Sequence, residues 1–170
     1  MFSSNTEAIC SARLWTESMR LSSSAFAHGA AIPRHFTCDG EDVSPAFDWS
    51  DAPTPTRSFV LLCDDSDTPG GTWHHWAVYD IPASQRGLAE GAARDSDRQH
   101  FRQAINDFRR SGYGGPCPPR GHGFHHYHFR LLAVSVDRLP LGSKPSCREV
   151  EREARKHAIA KATLVGIYQR

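Results

Sequence analysis

Residues 112–129, GYGGPCPPRGHGFHHYHF, hold five glycines, three prolines and four histidines in eighteen residues and then run into the apolar segment 131–136. Glycine and proline at that density exclude a helix or a central strand, because glycine loses too much backbone entropy and proline lacks the N–H that either ladder needs. The stretch must be a shaped loop whose backbone comes close to something, and it feeds a strand. Along that strand side chains alternate, so His125, Tyr127, Phe129 and Leu131 share one face while His126, His128 and Arg130 share the other. Phe129 and Leu131 require a core, which puts His125 and Tyr127 at its mouth, under the loop. An imidazole and a phenol beside a ring of loop N–H groups predict a small pocket for an anion.

The rest of the chain is built from short apolar pieces divided by turn chemistry. Segment 58–63 (SFVLLC) reads as a strand buried on both faces, and it ends in the acidic run Asp64-Asp65-Ser66-Asp67. Segment 72–81 (TWHHWAVYDI) is the next strand; strict alternation sends His75, Ala77 and Tyr79 one way and His74, Trp76 and Val78 the other. Residues 83–111 read as a long polar excursion with little regular structure. Residues 146–161 read as a helix: Ser146 caps it, Glu149 completes a capping box, and Val150, Ala154, His157 and Ala158 form its apolar stripe. Residues 163–168 close the chain as a strand. Many short strands with Gly/Pro turns and one clear helix near the C-terminus predict a mainly β domain, a β-sandwich of mostly antiparallel strands with peripheral helices. The domain is expected over residues 19–170, with residues 1–18 a poorly ordered extension in which Trp15 alone is suited to docking.

Charge and cysteine usage limit the function classes. A formal net charge of +1 and a pI of about 7.8 give no electrostatic footprint for nucleic acid. No apolar run is long enough to span a bilayer, and a secretion signal is not evident, so a cytoplasmic location is expected. Five scattered cysteines without a C-x-x-C pair read as reduced thiols rather than a disulfide frame or a zinc site.

The acidic run and the histidines are the candidate chemistry. A D-D-x-D run is also what a plain solvated turn looks like, but His75 follows Asp67 closely across a Gly-Gly turn. A carboxylate beside that imidazole would raise its pKa and make a cation suited to phosphate or carboxylate. His126 and His128 share a strand face as in some metal sites, yet no acidic third ligand follows at matching spacing. Cys117, in the glycine loop near His125, offers a conceivable nucleophile without an evident oxyanion hole.

Together these blocks resemble the phosphatidylethanolamine-binding protein (PEBP) family in its bacterial Raf-kinase-inhibitor-like form. The resemblance runs from about Met19 to Arg170. It rests on Asp39-Gly40-Glu41-Asp42-Val43-Ser44-Pro45, Asp65-Ser66-Asp67-Thr68-Pro69, Trp73-His74-His75-Trp76, the glycine-proline loop from Gly112 to Gly121, and His125-His126-Tyr127. It implies a pocket lined by Asp65, Asp67, His75, Gly115, Pro118, His125 and Tyr127, taking phosphate or a phosphorylated head group such as phosphoethanolamine. Ser66 stands where the family commonly has proline, and His126 where animal members carry arginine.

The expected protein is therefore a binding or regulatory module rather than an enzyme, without a cofactor or a bound metal. Asp65 is expected to orient His75, with His125, Tyr127 and the Gly115 backbone donating to the ligand. A kinase or protease partner and a homodimer are further implications of the resemblance. The rival reading is a small-molecule hydrolase using a metal or Cys117.

Overall fold

The computed structural model describes residues 18–170, so the expectations for residues 1–17, including the docking of Trp15, lie outside the described residues. In chain order the strands are β1 (Arg20–Ser22), β2 (Phe47–Ser50), β3 (Ser58–Asp65), β4 (Trp73–Pro82), β5 (Gly87–Leu88), β6 (Arg102–Gln103), β7 (His125–Val134) and β8 (Ala158–Tyr168). The helices are α1 (Ser96–Gln99) and α2 (Cys147–His157). Two antiparallel sheets result, one ordered β1-β2-β5 and the other β6-β4-β3-β7-β8. This is the β-sandwich that the sequence predicts.

The continuous apolar run of β3 takes the middle of the larger sheet, and every one of its residues is buried. Phe59, Leu61 and Cys63 face the small sheet and pack with Phe47 and Trp49 of β2 and Phe129 and Leu131 of β7. Full burial of each large apolar side chain contributes roughly 1.5–3 kcal/mol, so this layer fixes how the sheets stack. Val60 and Leu62 face the other way, with Ala77, Tyr79, Leu132 and Val134, beneath Cys147, Val150 and Ala154 of α2.

Strict alternation fails in β4. Cys63 of β3 pairs with Trp76 but Asp64 pairs with His74, so His75 is an extra residue in a bulge. A bulge turns the strand so that consecutive side chains share a face. His75 therefore leaves the side of Ala77 and Tyr79, where alternation put it, and joins Trp76 on the sandwich side, against Tyr127. His74, which alternation put with Trp76 and Val78, moves the opposite way to the α2 side, between Asp107 and Glu151.

Helix α2 forms with the expected capping box: Ser146 Oγ accepts from the Glu149 N–H, and the Glu149 carboxylate accepts from the Ser146 N–H. It ends at His157, four residues before the predicted limit, and β8 starts at Ala158 with no linker. Residues 158–163 pair along β7, and this ladder overrides the helix preference of Ala and Lys. The buried stripe is accordingly Cys147, Val150 and Ala154, while Ala158 is exposed. The 83–111 excursion holds two short strands, a 3-10 turn and the single-turn α1.

Cys38 and Cys117 form a disulfide with Cα atoms 5.4 Å apart, across 79 residues of sequence, which corrects the expectation of reduced thiols. The fold sets the Cys38 loop against the glycine-proline loop, a contact that sequence spacing does not encode. Cys63 and Cys147 are free and buried.

Candidate functional site

A cavity of about 370 Å³ opens at the end of the sandwich where the β3–β4 turn meets the glycine-proline loop. Its floor is Asp65, His75 and Tyr127; its walls are residues 68–73, Phe108 and residues 117–119. Each element supplies its share for a local reason. The bulge aims His75, and the uninterrupted period of β7 aims Tyr127. An Asn106-centred turn presents Phe108: Asn106 Oδ1 accepts from the N–H groups of Phe108 and Arg110, and its Nδ2 donates to Gly112 O.

The His75 ring lies 5.2 Å from the Tyr127 ring at an interplanar angle of 83°, and 5.3 Å from the Phe108 ring at 70°. His75 Nδ1 sits 2.6 Å from Gly114 O, and the Gly114 N–H donates to His75 O at 3.0 Å. A carbonyl only accepts, so Nδ1 carries the proton in this bond. Burial pushes the His75 pKa below its ordinary value, which outweighs the Gly114 hydrogen bond and the nearby Asp65 charge. His75 is thus a neutral imidazole whose Nε2 is an acceptor, not the cation expected from a carboxylate neighbour.

The carboxylate serves another histidine. Asp65 Oδ2 lies 2.6 Å from His125 Nδ1, and Asp65 Oδ1 accepts the Asp67 N–H at 2.8 Å. Asp65 stands opposite Tyr127 in the β3–β7 ladder, so His125, on the same face, is its diagonal neighbour. The expected orientation of His75 by Asp65 is replaced by orientation from the Gly114 carbonyl. His125 stands behind Asp65 and is not among the residues that line the cavity.

The buried Tyr127 hydroxyl makes no well-formed hydrogen bond among the described residues; the Asp65 carboxylate and the Cys117 backbone are its polar neighbours. Burial, reinforced by the Asp65 charge, pushes its pKa well up, so it remains a neutral O–H. An unpaired buried hydroxyl costs roughly 1–3 kcal/mol, and here it borders a cavity.

Two further predicted residues turn elsewhere. The Gly115 N–H donates to Asp42 Oδ1 at 2.7 Å and is not offered to a ligand. A Cβ at Gly115 would collide with Phe36 O and Asp42 Oδ1, so glycine is required by this crossing. The N–H groups of Gly112, Gly114 and Gly121 are likewise taken, by Ala104 O, His75 O and Arg170 O. The predicted ring of loop donors is therefore absent at these four glycines. Asp67 accepts from the backbone N–H of His126 at 2.7 Å and lies 2.8 Å from its Nδ1. Desolvation raises the Asp67 pKa, yet the His126 hydrogen bonds prevail and hold it below the ordinary value.

Asp65, His75, Pro118 and Tyr127 thus converge on one cavity, with His125 one layer back and Asp67 and Gly115 engaged with the protein itself. Sequence reasoning missed Trp73 and Phe108, whose rings meet at 5.4 Å on the rim. The Asn106-Asp107 turn before Phe108 was the available signal. Cys117 is a wall residue bound in a disulfide and is no nucleophile in that form. Among the described residues no three His, Cys, Asp or Glu side chains gather to hold a metal ion. No described helix is long and apolar enough to cross a membrane.

Comparison with known proteins agrees with this architecture. The family described as Phosphatidylethanolamine-binding protein matches residues 22–169. A UPF0098 protein of Aquifex aeolicus is 47% identical over 152 residues, covering 89% of either chain. The UPF0098 protein YbcL of Escherichia coli is 36% identical over 138 residues, covering 79% of this chain and 75% of YbcL. The crystal structure of E. coli YbcL, described as a new member of the mammalian PEBP family, matches with a TM-score of 0.85 at 31% identity, covering 90% of this chain and 99% of that one. A putative PEBP homolog from Chlamydia trachomatis matches with a TM-score of 0.80 at 34% identity, covering 90% and 98%. The chain belongs to the phosphatidylethanolamine-binding protein family.

Proposed function

We propose that this protein is a binding module, not an enzyme, whose cavity takes a small phosphorylated anion such as phosphate or phosphoethanolamine. The observation that carries the reading is the buried Tyr127 hydroxyl, which makes no well-formed hydrogen bond among the described residues and belongs to the cavity lining beside the His75 ring. A phosphate oxygen would accept from that hydroxyl. His75 Nε2, an acceptor while the ring is neutral, would take a hydrogen bond from a P–OH, which both neutral-pH forms of inorganic phosphate carry but a phosphomonoester carries only as its monoanion. The charge of Asp65 is engaged by His125 and the Asp67 N–H, which lowers the repulsion an anion would meet.

Titration of the purified chain with inorganic phosphate and phosphoethanolamine tests this. Tyr127→Phe should weaken binding by about 10- to 100-fold, the worth of a hydrogen bond to a charged group. Undiminished affinity in that variant would overturn the reading.

A protein partner, such as a kinase or protease held in inhibitor fashion, is a second reading favoured by the aromatic rim. Trp73 and Phe108 are 37% and 36% exposed beside the cavity mouth. Homodimerisation would have to use a different surface if the rim receives such a partner. Cytoplasmic residence sits uneasily with a disulfide, since cytosolic thiols are kept reduced unless they respond to redox state. Fractionation of the source cells, with thiol trapping before lysis, decides between a reducing and an oxidising compartment.

A further inference from the structure

The disulfide is part of the cavity. Cys117 begins the wall formed by residues 117–119, and Cys38 and Cys117 are both partly exposed, within reach of a solvent reductant. Cys63 and Cys147, by contrast, are buried in the two cores.

Ties to the protein body differ along the loop. Residues 113–116 are held by several bonds: Tyr113 Oη donates to Phe36 O, Gly114 exchanges bonds with His75, the Gly115 N–H donates to Asp42, and Pro116 O accepts the Cys38 N–H. Beyond Pro116 the chain changes character. Pro118 and Pro119 have no N–H to give, and Pro119 O is used within its own turn by the His122 N–H. The next backbone tie is the Gly121 N–H to Arg170 O. The disulfide is therefore the covalent tie of this wall to the opposite loop, next to the Cys38 N–H bond to Pro116 O.

The two sulfurs are not equivalent. Arg170 Nη1 lies 3.6 Å from Cys117 Sγ, while its Nε donates to Asp39 Oδ1 at 3.1 Å. Asp39 Oδ2 in turn accepts from Tyr168 Oη. A guanidinium anchored in this way would stabilise negative charge on Cys117 when the bond opens.

We propose that Cys38–Cys117 is a redox-cleavable clasp on the cavity wall, opened by a dithiol reductant to leave Cys117 as a reactive thiolate beside Arg170. The first reductant thiolate attacks Cys38 Sγ, the S–S bond breaks, and Cys117 leaves with the electron pair. The second reductant thiol, as its thiolate, then attacks the mixed disulfide and releases Cys38. Two electrons pass to the protein, the reductant becomes a disulfide, and the protons it loses are available to the two new thiols. With the clasp open, residues 117–119 lose their covalent tie and the cavity loses a fixed wall. That reduction weakens anion binding rests on the proposed phosphate site; the clasp itself does not.

The test uses the full chain, oxidised or treated with dithiothreitol at neutral pH without denaturant. Maleimide labelling mapped by mass spectrometry should find Cys38 and Cys117 newly reactive and Cys63 and Cys147 still protected. Amide exchange at Cys117 and residues 120–122 should rise, while that of residues 113–115 stays low. If the wall is then in place about a tenth of the time, inorganic phosphate binds about tenfold more weakly. In Cys38→Ser, iodoacetamide should alkylate Cys117 faster than it does in Cys38→Ser/Arg170→Gln, by about tenfold for a one-unit pKa difference. Should Cys38→Ser fail to fold, the reduced wild type and reduced Arg170→Gln carry the same comparison. A disulfide that resists the dithiol until the protein unfolds, or a reduced protein with unchanged exchange at Cys117 and residues 120–122, would overturn the clasp. Absence of phosphate binding in either redox state would overturn the anion site instead, since labelling and exchange are read without ligand.

Discussion

Asp65 Oδ2, in the floor of the cavity, and His125 Nδ1, behind it, lie 2.6 Å apart, with both side chains almost wholly withdrawn from solvent. A buried pair of this kind holds a shape more than it adds stability, because desolvation offsets most of the attraction, whereas losing one partner strands the other. Asp65→Ala or His125→Ala should each destabilise the protein by roughly 3–5 kcal/mol in urea unfolding, with the double variant well short of their sum. The exposed Asp67–His126 pair is the internal control: Asp67→Ala should cost under about 1 kcal/mol in electrostatic terms. Equal losses at the two pairs would refute this account of the floor.

His74 and His75 should tilt stability against pH in opposite senses. The hydrogen bond to Glu151, opposed by desolvation and supported by Asp107, holds the His74 pKa above its ordinary value. The folded state keeps that proton longer, so the His74 contribution is whole below about pH 6.5 and fades as pH climbs through the raised pKa. Burial holds His75 low, so the unfolded chain takes its proton first; that contribution is whole above about pH 6.5 and fades as pH falls. His74→Asn should flatten the alkaline side of a urea-midpoint profile, and His75→Asn the acid side. Identical profiles for the two variants would contradict the opposed environments.

Gly115→Ala should lose about 1–3 kcal/mol, the usual order for overpacking, because its Cβ meets backbone at Phe36 O and Thr37 Cα as well as the Asp42 carboxylate. Gly142→Ala meets nothing and should fall within about 0.5 kcal/mol of wild type. Thermal unfolding of the two variants side by side checks the contrast, and a benign Gly115→Ala would show that the two loops can part.

Ser146→Ala removes the oxygen that caps α2 and should cost about 1 kcal/mol. Glu149→Gln should lose less, since an amide oxygen can still accept from the Ser146 N–H. Denaturant titration of both variants orders them, and the reverse order would dismiss the box as the helix's starting device.

What was legible followed from uninterrupted patterns. β7 alternates without a break, so His125 and Tyr127 were placed on the sandwich face from sequence alone. The apolar run of β3 announced its burial, and Ser146 with Glu149 marked the start of α2. What escaped depended on partners chosen in space. Nothing in TWHHWAVYDI, which lacks glycine and proline, marks the bulge at His75, because the neighbouring strand imposes it. Asp65 was assigned to the histidine nearer in the chain, whereas the ladder brings it to His125. The loop glycines were read as donors to a ligand, yet the packing of loop on loop uses their N–H groups first. The disulfide joins residues too far apart for spacing to reveal.

The extra residue at His75 makes the direction of an imidazole a matter of arithmetic. A chain that kept His75 but lost one position between Gly71 and Trp76 could close a regular ladder and swing that ring beneath the helix, leaving Tyr127 facing an empty floor. Length, as much as chemistry, is what this short segment contributes to the binding pocket.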